Sequence, residues 1–171
     1  MTRQNGIYTL DYSSESIMSI NIVPVSNSHH LKQFIHLPWA LYNDDPNWVA
    51  PLLMEEKKQF DPNKNPFYQH ADVQLFLALK DEQPVGRISA QVDHNHIEFH
   101  NEKTGFFGFF ECIEDEKVAL ELLNTASNWL HDRGMERVQG PFSFNTNGIS
   151  GLLIDPFDQQ PRMMMPYNPS Y

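Results

Sequence analysis

An aromatic strand that leads directly into an amphipathic helix is the feature that most constrains this fold. Residues Thr104–Cys112 read TGFFGFFEC, which is typical of a buried strand, and Gly105 and Gly108 allow close backbone approach or a bulge. Apolar side chains then recur at the spacing of one helical face over 115–133, and Gly134 supplies the stop. This junction predicts a sheet with a helix packed against it.

The clearest pair of neighbouring strands lies earlier in the chain. Residues 73–80 read VQLFLALK, residues 81–84 predict a turn, and residues 85–92 predict the returning strand of a hairpin. Further strands are predicted at 19–25, 137–144 and 162–167, with a short helix at 147–154.

Two helices are predicted between the first strand and the hairpin. In the first, Ser28 is the expected N-cap and Pro38 interrupts or kinks the helix. The second covers 52–60, with Pro51 in its first turn. The apolar face of the first consists of Leu31, Phe34, Ile35 and Leu37, and the solvated face of the second consists of Glu55, Glu56, Lys57 and Lys58.

The resulting order is β, α, α, β, β, β, α, β, α, β. It predicts an α/β (α+β) domain with a mixed, mostly antiparallel central sheet flanked by helices. Residues 1–18 carry no sustained period and are expected to form a flexible or peripheral arm, so that 19–171 form a single domain.

Charge and cysteine content exclude several classes of protein. The chain has 171 residues, of which 12 are Lys or Arg and 22 are Asp or Glu, a formal charge of -10 at pH 7. Such a chain repels nucleic acid and anionic membranes, and no local basic patch offsets this. The single cysteine excludes an internal disulfide and favours a reducing, cytoplasmic location. No apolar run approaches the length of a membrane helix.

Several side chains suggest a chemical role by their type and position in the sequence alone. Glu111 ends an aromatic strand, where burial would raise its pKa and suit a general base, or it could equally point to solvent. Arg87 could face a bound anion or form an ion pair on its strand. Cys112 is more simply a small buried thiol than a nucleophile. Asn145 and Asn147 could contact a substrate or cap a turn.

A histidine-rich stretch raises the possibility of a metal site. His94 and His96 would share a face of a strand and could bind a metal with His100 or Asp93, but the segment is a polar connection between strands. A solvated loop is the preferred interpretation, and we expect no metal.

Four runs of sequence carry a family resemblance. GFFGFFEC, VQGPFSFNTN, GLLIDPFD and MMMPYNPSY, together with the order of elements, resemble the GCN5-related N-acetyltransferases, and specifically the N-terminal half of a bacterial group of double acetyltransferase-like proteins. The resemblance implies an acyl-CoA N-acyltransferase-like fold that could lack its C-terminal strand or a following second domain. It implies an acyl-CoA-dependent N-acyltransferase that uses acetyl-CoA or another acyl-CoA, and a small-molecule amine or the protein's own C-terminal domain as partner.

The resemblance also assigns residues. In the family, the backbone of a splayed central strand binds the pantetheine arm, and this position corresponds to Phe109, Phe110, Cys112 and Ile113. Further cofactor contacts are expected from Lys117 and Asn147. Glu111 is the expected catalytic base.

Two departures from the family pattern are visible. Glu114, Asp115 and Glu116 replace the glycine-rich loop that holds the pyrophosphate, and the favoured interpretation is that they start a helix and complement its dipole. Ile154 stands where the family has a tyrosine that protonates the leaving thiolate, so Tyr167 is the candidate for that step, with a packed tyrosine as the favoured alternative.

These departures support a second functional hypothesis. A non-catalytic module of the same fold would pack on a partner domain, dimerise or bind a small metabolite. In that case the apolar side chains of Met163, Met164 and Met165 would form part of a homodimer or partner interface.

Overall fold

The computed structural model describes residues 19–145, 148–155, 157 and 167–171. A five-stranded sheet in the order β1-β2-β3-β4-β5 organises these residues, and all neighbouring strands are antiparallel except β4 and β5, which are parallel. This confirms the predicted mixed, mostly antiparallel sheet. The strands are β1 Ile20–Pro24, β2 Ala71–Lys80, β3 Gln83–Asp93, β4 Thr104–Cys112 and β5 Arg137–Gln139, and the helices are α1 Ser28–Tyr42, α2 Leu53–Gln59, α3 His94–His100 and α4 Glu116–His131, with a 3-10 turn at Pro66–Gln69.

The predicted hairpin forms between β2 and β3. Lys80 pairs with Gln83, so that Asp81 and Glu82 alone make the turn, with φ values of 50° and 63°. Two successive residues in this left-handed region match the twist of the flanking strands. The continuous apolar run of β2, buried on both faces at 75–79, and the turn at 81–82 are consistent with the predicted hairpin.

Helices cover both faces of the sheet. On one face, α1 contributes Phe34 and Ile35 to a cluster with Leu75 and Leu77 of β2. On the other, α4 contributes the stripe that its sequence predicts, packed against Phe76, Ala78, Ile88 and Ala90. The stripe consists of Val118, Leu122, Ala126 and Leu130.

The ends of α1 and α2 differ from the sequence prediction. Asn27, and not Ser28, is the N-cap of α1, because its Oδ1 accepts a hydrogen bond of 2.8 Å from the His30 amide. Pro38 does not interrupt α1, which continues to Tyr42 with Pro38 buried inside it. Pro51 precedes α2, which begins at Leu53.

The histidine segment is a helix and not a loop. Asp93 caps α3 by accepting hydrogen bonds from the Asn95 and His96 amides, a signal that the sequence analysis missed. Within the described ranges, no group of three His, Cys, Asp or Glu side chains could hold a metal ion. In the same ranges, no helix is long and apolar enough to cross a membrane.

The region after α4 departs most from the prediction. β5 ends at Gln139, a cis peptide bond joins Gly140 to Pro141, and Phe142 forms only an isolated bridge with Ser150. The short helix predicted for 147–154 is absent from its described part, 148–154, and Tyr167 does not lie in a strand. The 1–18 arm, Asn147 and Met163 to Met165 fall outside the described residues.

A bulge interrupts the pairing of β3 with β4. Arg87 faces Glu111 and Ser89 faces Gly108, so β4 carries one residue more than β3 between these pairs. Phe109, within the bulge, has a φ of 46°. Gly108 is required beside it, because a Cβ there would collide with the carbonyl oxygen of Phe142.

Candidate functional site

A cleft of about 790 Å³ opens beside the C-terminal half of β4. β5 pairs with β4 only as far as Phe106, and the Phe142 amide then donates to the Phe107 carbonyl at 2.7 Å. No described strand pairs with the edge of β4 beyond that point. The cleft is therefore a wedge between β4 and the chain that diverges from it after Gln139.

A buried ion pair lies on the floor of this cleft. The Arg87 side chain is only 4% exposed, and its Nη2 donates to Glu111 Oε1 at 3.2 Å while its Nη1 donates to the Phe34 carbonyl at 2.8 Å. Glu111 Oε2 is buried and has no hydrogen-bond partner among the described residues. For Arg87 the alternatives were an ion pair or a contact with a bound anion, and the structure shows the ion pair. For Glu111 the alternatives were a catalytic base or a solvent-facing residue, and the structure places it in the cleft.

Burial dominates the electrostatics of Glu111. It raises the pKa of this carboxyl above its ordinary value of 4.5, and the Arg87 guanidinium offsets only part of the effect. A carboxylate of this kind is a stronger base than a solvated one, which is the property required of a proton acceptor near neutral pH.

Glu56 on α2 joins this pair and was not predicted. Its sequence position predicted the solvated face of α2, but Glu56 lines the cleft. Burial raises its pKa, Arg87 offsets part of this, and the charge of Glu111 adds a smaller upward shift. The spacing of residues along α2 already indicated this position for Glu56. Leu53 packs on the α1 side of the core, and the side chain three residues later lies on the same helical face.

Three tyrosines close one side of the cleft. The Tyr167 ring lies 4.9 Å from the buried Tyr42 ring, and its hydroxyl donates to Asp45 Oδ2 at 2.7 Å. The Tyr171 hydroxyl donates to the Cys112 carbonyl at 2.9 Å, on the open edge of β4. Burial, together with the hydrogen bond to Asp45, raises the pKa of Tyr167. Tyr42 and Tyr171 were not predicted.

Of the predicted cofactor residues, four line the cleft, one does not, and one lies outside the described residues. Phe109, Phe110, Cys112 and Ile113 all line the cleft. Lys117 is exposed on the first turn of α4 and does not line it. Asn147 falls outside the described residues.

The acidic start of α4 forms one end of the cleft. Asp115 is the N-cap and accepts a hydrogen bond of 3.0 Å from the Lys117 amide, as a helix-start role requires. Lys80 Nζ lies 3.6 Å from the other Asp115 oxygen. Glu114 and Glu116 also line the cleft, so its end carries net negative charge.

The remaining wall is apolar and partly exposed. Val49 is 70% exposed and Leu152 is 60% exposed, although both line the cleft. Other apolar lining side chains are Pro38, Trp48, Ile149, Leu153 and Phe157. The cleft thus has a charged floor and an apolar mouth.

One solved structure decides the fold. A candidate acetyl transferase from Pyrococcus furiosus superposes on this chain with a TM-score of 0.52 at 12% identity, covering 88% of this chain and 99% of that one. The chain has the GCN5-related N-acetyltransferase fold. No protein-family model matches it.

Two curated bacterial proteins resemble this acetyltransferase-fold chain in sequence. Protein YghO from Escherichia coli (strain K12) is 44% identical over 141 residues, which cover 82% of this chain and 36% of that protein. A bacterial ceramide synthase from Caulobacter vibrioides is 40% identical over 153 residues, which cover 89% of this chain and 40% of that protein. The chain therefore spans well under half the length of these relatives.

Proposed function

We propose that this chain forms the acyl-donor and base site of an acyl-CoA-dependent N-acyltransferase. The observation that carries the proposal is the position of Glu111, a partly buried carboxylate with a raised pKa, beside the unpaired edge of β4 in an open cleft. The edge offers backbone amides and carbonyls to an extended amide-containing arm such as pantetheine. Phe109, Phe110, Cys112 and Ile113 are the residues that would hold it.

The two ends of an acyl-CoA fit this cleft unequally. The open edge of β4 suits the pantetheine arm, and the apolar wall suits an acyl chain. The pyrophosphate meets Glu114, Asp115 and Glu116, where each carboxylate repels a phosphate by roughly 1 kcal/mol at 4 Å in water. We infer weak pyrophosphate binding at this end of the cleft, where Lys80 contacts Asp115 and the predicted cofactor residue Lys117 is exposed outside the cleft lining.

The apolar wall and one relative point to an apolar substrate. Ceramide is an amide of a long-chain amino alcohol, and a bacterial ceramide synthase is 40% identical to this chain over 153 residues. Apolar side chains at the cleft mouth, among them Val49, Leu152 and Phe157, would contribute about 25 cal/mol per Å² of alkyl surface that they remove from water. We infer that at least one of the two substrates carries an alkyl chain.

The chemistry assigned to the chain is a proton transfer that accompanies acyl transfer. Glu111 removes a proton from the ammonium group, and the freed lone pair of nitrogen forms the amide bond while the thioester carbon–sulfur bond breaks. The departing sulfur takes one proton from a donor side chain, the nitrogen releases its second proton to solvent, and the proton held by Glu111 returns through solvent to that donor, so both side chains recover their starting states. Tyr167 is the candidate proton donor, and it must then exchange its hydrogen bond to Asp45 for one to sulfur.

Turnover with defined acyl donors tests this proposal. The chain, and a longer relative in parallel, is incubated with acetyl-CoA or palmitoyl-CoA and a primary amine, and the amide is detected by mass spectrometry. Glu111→Gln should lose about 10²- to 10⁴-fold in kcat/KM. The matched control is Glu98→Gln, a change on the polar helix α3 that does not line the cleft. Absence of acyl-CoA binding at millimolar concentration in both proteins would exclude the acyltransferase.

One observation favours the non-catalytic alternative. The start of α4 presents carboxylates where the fold family presents phosphate-binding amides, and a domain that never binds a nucleotide has no need of such amides. In that case the cleft binds a small metabolite or a partner segment, and titration calorimetry should return no heat with any acyl-CoA.

A further inference from the structure

The floor of the cleft carries two carboxylates and a single cation. Glu56 and Glu111 both line the cleft, the charge of Glu111 acts on Glu56, and Arg87 lies within electrostatic reach of both. No described Lys lines the same cleft. With both carboxylates ionised, this cluster has one uncompensated negative charge, held where water screens it poorly.

The hydrogen bonds of the cluster are incomplete. Glu111 Oε2 and Arg87 Nε are both buried without a hydrogen-bond partner among the described residues, and Arg87 is more than nine-tenths buried. The Glu56 carboxylate makes no hydrogen bond or ion pair with any described residue, although it is half-buried. Buried polar groups in proteins are almost always paired, so the free acceptor oxygens of Glu111 and Glu56 mark a place that suits a ligand with N–H donors, whereas the Arg87 Nε donor takes no part in this match.

We propose that Glu56 and Glu111 together bind the protonated head of a primary alkylamine. An ammonium has three N–H donors and one positive charge, which match two carboxylates with free oxygens and one excess negative charge. The apolar wall that includes Trp48 and Val49 then covers the alkyl body of the amine. The proposal rests on the proposed function for the choice of an amine as acceptor.

This arrangement gives the two carboxylates different roles. Glu111, paired with Arg87, takes the proton that makes the amine nucleophilic. Glu56 remains ionised and positions the head group, so it is a specificity residue and not the base. A neutral alcohol of the same length has one O–H donor and no charge, so it leaves one carboxylate unpaired and the excess negative charge uncompensated, which is how a polar site rejects such an analogue.

Direct binding tests this without any acyl-CoA. Titration of the full chain with octylamine at pH 7 by calorimetry should show binding at least tenfold tighter than that of 1-octanol. Glu56→Gln should weaken octylamine binding by tenfold or more and leave 1-octanol unchanged. Glu55→Gln is the matched control, since Glu55 is exposed on the same helix beside Lys58, and it should change neither.

A second variant and a kinetic measurement distinguish loss of the ammonium site from misfolding of the protein. Glu56→Asp keeps the charge and should retain more octylamine affinity than Glu56→Gln, while circular dichroism verifies that each variant folds. In turnover, Glu56→Gln should raise the KM for the amine and leave the KM for acyl-CoA unchanged. Equal binding of octylamine and 1-octanol, or wild-type octylamine binding by Glu56→Gln, overturns the ammonium site. Absence of acyl transfer despite Glu56-dependent octylamine binding overturns the proposed function alone.

Discussion

Glu111 is subject to two opposing electrostatic effects. Burial raises its pKa, and Arg87, 3.2 Å away, lowers it, with burial the larger. A base of this kind works in its ionised form and loses activity as the pH falls through its pKa. The acidic limb of kcat/KM should therefore have its midpoint above 4.5, the ordinary value for a glutamate.

Replacement of Arg87 should move that limb in a defined direction. Arg87→Gln removes the cation that lowers the Glu111 pKa, so the midpoint should shift to higher pH. Arg87→Lys keeps the charge and should shift it less. The measurement is the pH dependence of kcat/KM for all three proteins. A shift to lower pH in Arg87→Gln would contradict the assignment of Glu111 as the base.

Cys112 provides a residue-scale prediction that is independent of function. Burial and two nearby carboxylates raise the pKa of its thiol from 9.0 to about 11. At pH 8 the thiolate fraction should then fall by about a hundredfold relative to an unperturbed thiol, and alkylation should slow in proportion. Because Cys112 is the only cysteine, iodoacetamide labelling followed by mass spectrometry reports on it alone. Similar rates in native protein and in urea would contradict the buried placement.

At the scale of single elements, the N-cap of α4 gives a direct prediction of stability. Asp115 accepts the Lys117 amide hydrogen bond, and a side chain at this position contributes about 1 kcal/mol. Asp115→Ala should lower the free energy of unfolding by about that amount in urea titrations, whereas Asp115→Asn should retain most of it. The partly exposed contact with Lys80 adds little. Unchanged stability in Asp115→Ala would remove the capping role and revive a ligand role.

Elements with a regular pattern were predictable, and those defined by a single side chain were not. The continuous apolar run of β2 and the apolar stripe of α4 predicted both elements correctly, because β2 buries both of its faces and α4 buries one continuous face. α3 was missed because its amphipathic signal is weak and its start depends on the Asp93 cap. The short β5 was predicted too long, since its residues are exposed and only the pairing with β4 defines it.

At the scale of the whole molecule, the site could be predicted only in part. The residues of β4 were identified because they are contiguous and resemble a family. Glu56 and Tyr42 reach the same cleft from other segments, and only the packing of α1 and α2 on the sheet brings them there. The pairing of Arg87 with Glu111 depends on a strand register that no local pattern specifies.

The net charge of the whole chain predicts an unusual dependence on salt. A protein of charge -10 with carboxylates at one end of its cleft repels a polyanionic donor, and salt screens that repulsion. Acyl-CoA affinity should therefore rise several-fold between about 20 and 200 mM salt. The control is the neutral N-acetylcysteamine thioester, which lacks the nucleotide and should show little change. Weaker acyl-CoA binding at higher salt would point to a cationic site that the described residues do not contain.

The bulge in β4 exchanges the two faces of the strand. Phe107 packs on the α4 side of the sheet, yet Phe109, two residues later, packs on the α1 side, and Cys112 is again on the α4 side. In an uninterrupted strand, residues two apart share a face, so Glu111 would follow Phe107 and point into the apolar cluster around Val118. One inserted residue thus moves the carboxylate out of the hydrophobic layer and brings it opposite Arg87, so the ion pair in the cleft depends on a register shift of one residue within a single strand.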